Sequence, residues 1–459
     1  MGIGQGEERR EHMLHDPMKR LIPSVAVPSI VSMLVGALYN MADTFFVGKL
    51  GLSATGAVGI VFPIMNLLMA VSFVFAHGAS SYVSRLLGRN DTTRAAKVVV
   101  TALLSAMFFG VLYGAAGLLM MDRLLRLFGS TETILPYARA YARYIYIASP
   151  VFAGSYVMNN TLRAEGSTMK ALVGMTSGAI LNIILDPICI FTFNMGVAGA
   201  GFATMIGQAF SFFLLVSFYI SKGRHKSVLM LSLRQFTFKW DMYGELLRVG
   251  LPSFFRMGLN SLAAVLLNTA ALPYGDPAIA GFSVVTRILM IISHVVTGYG
   301  QGYQPISGYN FGAVKLARVE EAFQFTVRTT LLFIVACSVP VIAFAPMLVG
   351  IFQSDPAVVA IGTTALRLQT AALPFMGFTM IASMLFQSTG RAKPAFISAA
   401  ARQGLFFIPL VLVLPRLFGY NGLLAAQPAA DVLSFIIVLP LVVRAIRELK
   451  KLQAKEMLE

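Results

Sequence analysis

Two acidic residues lie inside otherwise apolar stretches, where an ionisable side chain costs about 3 kcal/mol or more and marks a functional candidate. In LYNMADTFFVGKLG, Tyr39 and Asp43 stand at i and i+4, on one face of a helix, with Asn40 beside them. In LNIILDPICIF, Asn182 and Asp186 have the same spacing. Two such carboxylates, brought together, can take up a proton or hold Na⁺ with the help of Asn and Thr oxygens. A plainer reading is also open: both could cap or pair near helix ends, and Pro187 after Asp186 favours a helix end there. The positional mates of these acids in the second half of the chain are Leu267 and Leu410, so the expected site is built once, in the first half.

Other polar and adaptable residues cluster around this pattern. Pro28 lies in the first apolar run, where it either bends a spanning helix by freeing a backbone carbonyl or marks the entry of the span. Arg287 and Arg402 lie well inside apolar runs and are candidates for facing a cleft, whereas Arg143, Arg256 and Arg367 read as residues whose heads reach a span end. His77 and His294 read as packing residues. Met33, Met65, Met69 and Met257 would give an adaptable cavity lining where they face inward.

The elements that position these residues follow from composition. Of 459 residues, 57% are hydrophobic and 12% charged, half the charged share of a soluble domain, about 25%. The solvent for most of the chain is therefore lipid. Apolar runs long enough to cross about 30 Å of hydrocarbon fall near 21–46, 54–82, 98–121, 133–158, 171–193, 198–220, 245–271, 278–308, 322–345, 357–384, 395–415 and 421–443. The fold class expected is an all-α polytopic membrane protein of about twelve spans. The first twenty residues are too charged, and the run after them too long, for a cleaved signal peptide. The net charge of +16 is spread through short loops, which argues against nucleic acid. Arg85, Arg89, Arg94 and Lys97, Lys222, Arg224, Lys226, Arg234 and Lys239, Lys315 and Arg318, Arg391 and Lys393, and Arg444, Arg447, Lys450, Lys451 and Lys455 share one side with the N-terminus. The positive-inside rule then places both termini in the cytoplasm, in a plasma or inner membrane. Cys189 and Cys337 sit in apolar runs, giving no disulfide framework and no cysteine metal site. No P-loop pattern occurs, so an ion gradient rather than ATP is the expected energy source.

The chain repeats itself. At an offset of 224, Pro28 meets Pro252, Gly51 meets Gly275, Gly78 meets Gly302, Gly88 meets Gly312 and Gly166 meets Gly390; one residue less brings Gly196 and Gly199 onto Gly419 and Gly422. An even number of spans per copy makes this a parallel repeat, two lobes related by an axis along the membrane normal, as in rocking transporters. The expected division is a cytoplasmic segment 1–20, a first lobe 21–220, a cytoplasmic linker 221–244, a second lobe 245–443 and a cytoplasmic tail 444–459.

Together, LYNMADTFFVGKLG, LRAEGSTMKA, GAILNIILDPICIF, GVAGAG and GLPSFFRMGLNSL resemble the multidrug and toxic compound extrusion (MATE) family, in its proton-coupled bacterial and archaeal branch. The resemblance covers nearly the whole chain. It implies a non-enzymatic antiporter, without cofactor, that exports amphipathic organic substrates, often cations, in exchange for H⁺ or Na⁺. It further implies that Asp43 and Tyr39 form the first-span acidic site, Asn182 and Asp186 its fifth-span pair, Thr204 a sixth-span hydroxyl, Pro28 a bending proline, and Asn159 or Asn160 a fourth-span amide. The seventh and tenth spans offer Arg256, Asn260, Arg367 and Gln369 but no acid, unlike branches with a second-lobe cation site. A monomer in a lipid bilayer is expected, with a flippase for lipid-linked precursors as the alternative, in which Arg256, Arg287 and Arg402 would hold a phosphate.

Overall fold

The computed structural model describes residues 3–220 and 227–456, and among them the regular elements are all helical. Helix α1 (Ile3–His15) precedes α2 (Met18–Gly48), α3 (Leu52–Gly88), α4 (Thr92–Leu119), a short α5 (Met121–Leu127), α6 (Leu135–Ala164), α7 (Thr168–Pro187) and α8 (Val197–Ile220). The second half contains α9 (Trp240–Ala271), α10 (Asp276–Gly312), α11 (Leu316–Ala343), a short α12 (Ala345–Phe352), α13 (Pro356–Ser388), α14 (Ala392–Ala400) and α15 (Ile408–Glu456). A π-helical turn, Ala401–Phe407, joins α14 to α15, and Gly419, at φ 55°, breaks α15 in two. Among the described residues, ten helical stretches are long and apolar enough to span by hydropathy. The helix α6, lowered by Arg139, Arg143, Arg163 and its tyrosines, and the division at Gly419 bring the spans to twelve. Lys222, Arg224 and Lys226 lie outside the described residues. The helix α9 starts at Trp240, before the apolar run expected from 245, because a helical hydrogen-bond ladder continues past the hydrocarbon boundary.

The glycines that keep the repeat in register have physical work in both copies. Gly166 and Gly390 adopt φ of 77° and 72°, and Gly196 and Gly419 of 57° and 55°, conformations that side chains resist. Gly78 and Gly302 instead sit where helices of opposite lobes nearly touch. A Cβ on Gly78 of α3 would lie 2.2 Å from the Leu246 carbonyl oxygen of α9, and one on Gly302 of α10 would lie 2.3 Å from Cα of Ala26 on α2. Gly88, Gly250, Gly298 and Gly312 extend this seam. Small residues allow such close backbone approach in a membrane, where packing rather than water drives helix association.

The apolar cores report the same shape. One cluster crosses both lobes, from Leu21 and Leu86 to Leu246 and Leu385, in the half of the molecule nearer the termini. In the other half the core divides into one cluster within the first lobe, around Val61 and Tyr141, and one within the second, around Val285 and Leu366. The lobes are therefore joined at one end and parted at the other. On the joined side, α1 lies across both lobes. Arg9 donates to Ser167 Oγ (2.6 Å) and Arg10 to the Gly88 carbonyl (3.0 Å), while Asn310 and Arg318 donate to the carbonyls of Met13 (3.0 Å) and Asp16 (2.7 Å).

Candidate functional site

A cavity of about 950 Å³ opens between the lobes on the parted side. Its walls are amphipathic: Phe62, Met65, Met69 and Phe152 supply apolar surface, and Tyr39, Asn40, Asn182, Thr204 and Gln208 supply polar atoms. Among the described residues of the second lobe, α10 and Phe352 contribute, with Arg287 and His294 from α10. The helix α2 presents Tyr39 and Asn40 to the cavity because it is apolar on every side and takes its orientation from its seam contacts with α10.

The polar floor is one connected network. Asn182 Nδ2 of α7 donates to Thr204 Oγ1 of α8 at 3.2 Å, and the Tyr39 hydroxyl of α2 lies 3.5 Å from the same Thr204 oxygen. Behind this wall are the two acids. Asp43 is 5% exposed and Asp186 fully buried, and neither lines the cavity. Tyr141 of α6 donates to Asp43 Oδ2 at 3.0 Å. Among the described residues, Asp43 Oδ1 and both carboxyl oxygens of Asp186 are buried without a hydrogen-bond partner, as is Asn182 Oδ1. Four oxygen atoms in one buried cluster without donors form an arrangement that a proton or a small cation would satisfy, since unpaired buried polar atoms carry the full desolvation penalty. The donor set suits either ion: carboxylate, amide and hydroxyl oxygens are hard ligands.

Several expected cavity residues are elsewhere. Asn159 and Asn160 spend their amide groups on the backbone carbonyls of Ala171 (2.8 Å) and Tyr156 (2.9 Å). Met33 and Met257 do not line the cavity, because a helix that is apolar all round gives no sign of which methionine faces inward. Pro28 is buried in the seam, between the points where Ala26 and Ile30 meet Gly302 and Gly298, and α2 continues through it as one helix. His294 is a cavity residue rather than a packing residue, whereas His77 is held by Ser253 at 2.8 Å and stacks on Phe73. Arg402 faces no cleft of this cavity: its Nε donates to Asp431 Oδ1 at 2.5 Å, and Gln427 donates to the same oxygen at 3.2 Å.

Asp431 corrects the expectation that intramembrane acids occur only in the first half. It is 2% exposed, within the last span. At the repeat offset of 223, Gln427 and Asp431 correspond to Thr204 and Gln208, which line the cavity in the first lobe. The second lobe thus carries an internal ion pair where the first carries its polar floor. Arg163 is a further polar residue without a sequence signal of its own; its guanidinium reaches across the lobes to Gln301 of α10.

The MatE family model matches this chain over residues 28–188 and again over 252–413, one match in each lobe and in the register of the internal repeat. The chain belongs to the MatE family. It is accordingly a multi-pass membrane transporter and not an enzyme. A multidrug export protein, MepA, of Staphylococcus saprophyticus is 26% identical over 435 residues, 95% of each chain. Among solved structures, a crystal structure of MATE in the bent conformation superposes with a TM-score of 0.91 at 26% identity, covering 97% of this chain and 99% of that one. A multidrug resistance MATE family transporter of the MOP superfamily, in an outward-facing conformation, gives 0.89 at 26% identity over 96% and 98% of the two chains. The two-lobe, twelve-span fold of this MatE-family chain is thus that of solved transporters.

Proposed function

We propose that this MatE-family chain is a secondary antiporter that exports amphipathic organic cations, drugs or toxic metabolites, across the plasma membrane in exchange for H⁺ or Na⁺ by alternating access. The observation that carries this reading is the set of partnerless oxygens of Asp43, Asp186 and Asn182 directly behind the cavity floor made by Tyr39, Asn182 and Thr204. An ion entering that cluster neutralises charge near the substrate cavity and changes the polar network that α2, α6, α7 and α8 share. An organic cation in the cavity and an ion in the cluster therefore compete electrostatically, and competition of this kind is what makes exchange obligatory. The similarity to a multidrug export protein over nearly the whole chain supports drug-like substrates. The large apolar share of the wall supports loose, shape-tolerant binding.

With both termini in the cytoplasm, as the loop charges favour, the seam closes the inner side and the cavity faces outward. A lipid-linked precursor as substrate loses support, because Arg402 is committed to Asp431 and only Arg287 of the proposed phosphate-binding arginines lines the cavity. Ethidium efflux from cells expressing wild type or Asp43→Asn, with the pH and Na⁺ gradients collapsed separately, tests the proposal. Loss of efflux with the substitution and with one gradient supports antiport and names the ion. Normal efflux by Asp43→Asn and Asp186→Asn overturns it.

A further inference from the structure

A second hollow lies outside the transport cavity, on the flank of the second lobe. It is a groove of about 380 Å³ between α9 and the start of α14, floored by Leu251, Pro252, Phe255, Phe396 and Ile397, with Arg248 and Lys393 at one end. The rings of Phe255 and Phe396 meet edge to face at 5.0 Å and hold the two walls in place. Leu251, Phe255, Phe396 and Ile397 are each about two-fifths exposed, at 39%, 41%, 41% and 39%, although they lie in spanning helices. The medium they face is therefore lipid.

The two cations share one depth. Arg248 lies early in α9 and Lys393 in the first turn of α14, both helices starting on the side of the membrane that holds the termini. Among the described residues neither has an ion-pair partner, whereas the neighbouring Arg391 is committed to Glu448 at 2.7 Å. Lys393 also stands at a helix start, where the backbone dipole adds to its positive potential instead of offsetting it. The internal repeat supplies a control within the same molecule. At the offset of 224, the first lobe places Ser24 where the second has Arg248 and Met169 where it has Lys393, while Val27, Val31, Leu172 and Val173 keep the apolar floor. Both lobes thus keep the apolar flank, and at these two positions only the second is charged; Lys170, next to Met169, is half-buried beside Arg9 and Glu165.

We infer that this groove is a binding site for one anionic phospholipid of the leaflet on the termini side, its phosphate held between Arg248 and Lys393 and an acyl chain laid over Phe255, Phe396 and Ile397. Charge complementarity and the lipid-facing apolar floor select a phospholipid over a soluble anion: the floor gives nothing to a free phosphate.

Native mass spectrometry of the full chain in detergent, titrated with phosphatidylglycerol or phosphatidylcholine, tests the assignment. Each cation near an anionic headgroup contributes about fivefold in affinity, so Arg248→Gln with Lys393→Gln lowers retention of phosphatidylglycerol about 30-fold. Arg248→Lys retains most of it, and retention of phosphatidylcholine is weak and unchanged throughout. The double variant keeps its melting temperature in phosphatidylcholine, since both substituted side chains are exposed. Equal retention of phosphatidylglycerol by wild type and double variant overturns the proposal. Displacement of the lipid by millimolar inorganic phosphate overturns it too, as it would show that the floor plays no part.

Discussion

Adding a single methyl group at Gly250 probes whether the seam must open and close. A Cβ there would lie 1.8 Å from the Val74 carbonyl oxygen, and ordinary contact begins at 3.4 Å, so α9 and α3 must part by about 1.6 Å. The obstacle is backbone, which no rotamer change relieves. Overpacking of this kind costs about 1–3 kcal/mol, and here the cost falls only on the state in which the seam is shut. Gly250→Ala therefore shifts the balance between closed and open seam by roughly 5- to 150-fold toward open. The assay is maleimide labelling of Ser84→Cys, a seam position 1% exposed, in a background where Cys189 and Cys337 are replaced by alanine. Gly258→Ala on the same helix serves as control, since nothing lies within 4 Å of its new Cβ. The labelling rate rises with Gly250→Ala and not with Gly258→Ala, and efflux falls in the same pattern. Unchanged labelling and normal efflux for Gly250→Ala would refute the idea that this seam is a moving closure.

The ion pair of the second lobe makes a separate prediction. Arg402→Met leaves Asp431 buried without its partner and lowers stability in detergent by about 3 kcal/mol, whereas adding Asp431→Leu recovers most of the loss; additive losses in the cycle of Arg402→Met, Asp431→Leu and the double variant would contradict the pairing. Glu165, in the connection between α6 and α7, gives a pH dependence. It is fully buried, and burial pushes its carboxyl up from 4.5 to about 7, against the opposing hydrogen bond from Ser227 (2.5 Å) and the charge of Arg9. The folded state then holds the proton more tightly than the unfolded state. Its stabilising effect is complete below about pH 4.5 and is lost as pH rises through 7, a loss of roughly 3 kcal/mol at most. Glu165→Gln, which can still accept from Ser227, gains on wild type in melting temperature at pH 8 and not at pH 4.5; parallel pH curves would show that Glu165 does not titrate in this range.

The sequence carries the fold unusually far because the lipid requirement and the repeat act on every span. Glycine matches at a fixed offset are legible, and the structure supplies their reason: positive φ at turns, or backbone contact across the seam. The first-lobe acids are equally legible, since Asp43 and Asp186 interrupt apolar runs. Their second layer is not. Tyr141 stands among several tyrosines of α6, and nothing in their spacing says which one reaches Asp43. Asp431 is visible as an acid in an apolar run, yet its partner Arg402 is 29 residues away in another span, so the pairing appears only in three dimensions. Methionines fail as cavity markers for a related reason. In helices apolar on all sides, Met65 and Met33 look alike, and only packing decides that Met65 faces the cavity.

The central claim is that an ion in the Asp43 and Asp186 cluster is displaced by substrate. Proton release on adding an organic cation to the purified chain in weakly buffered detergent, with ²²Na⁺ displacement read in parallel, tests it most directly. Release of one ion species by wild type, lost in both Asp43→Asn and Asp186→Asn while substrate still binds, is the predicted result. Substrate binding that displaces neither ion from wild type, or equal release from wild type and the two variants, would contradict the account.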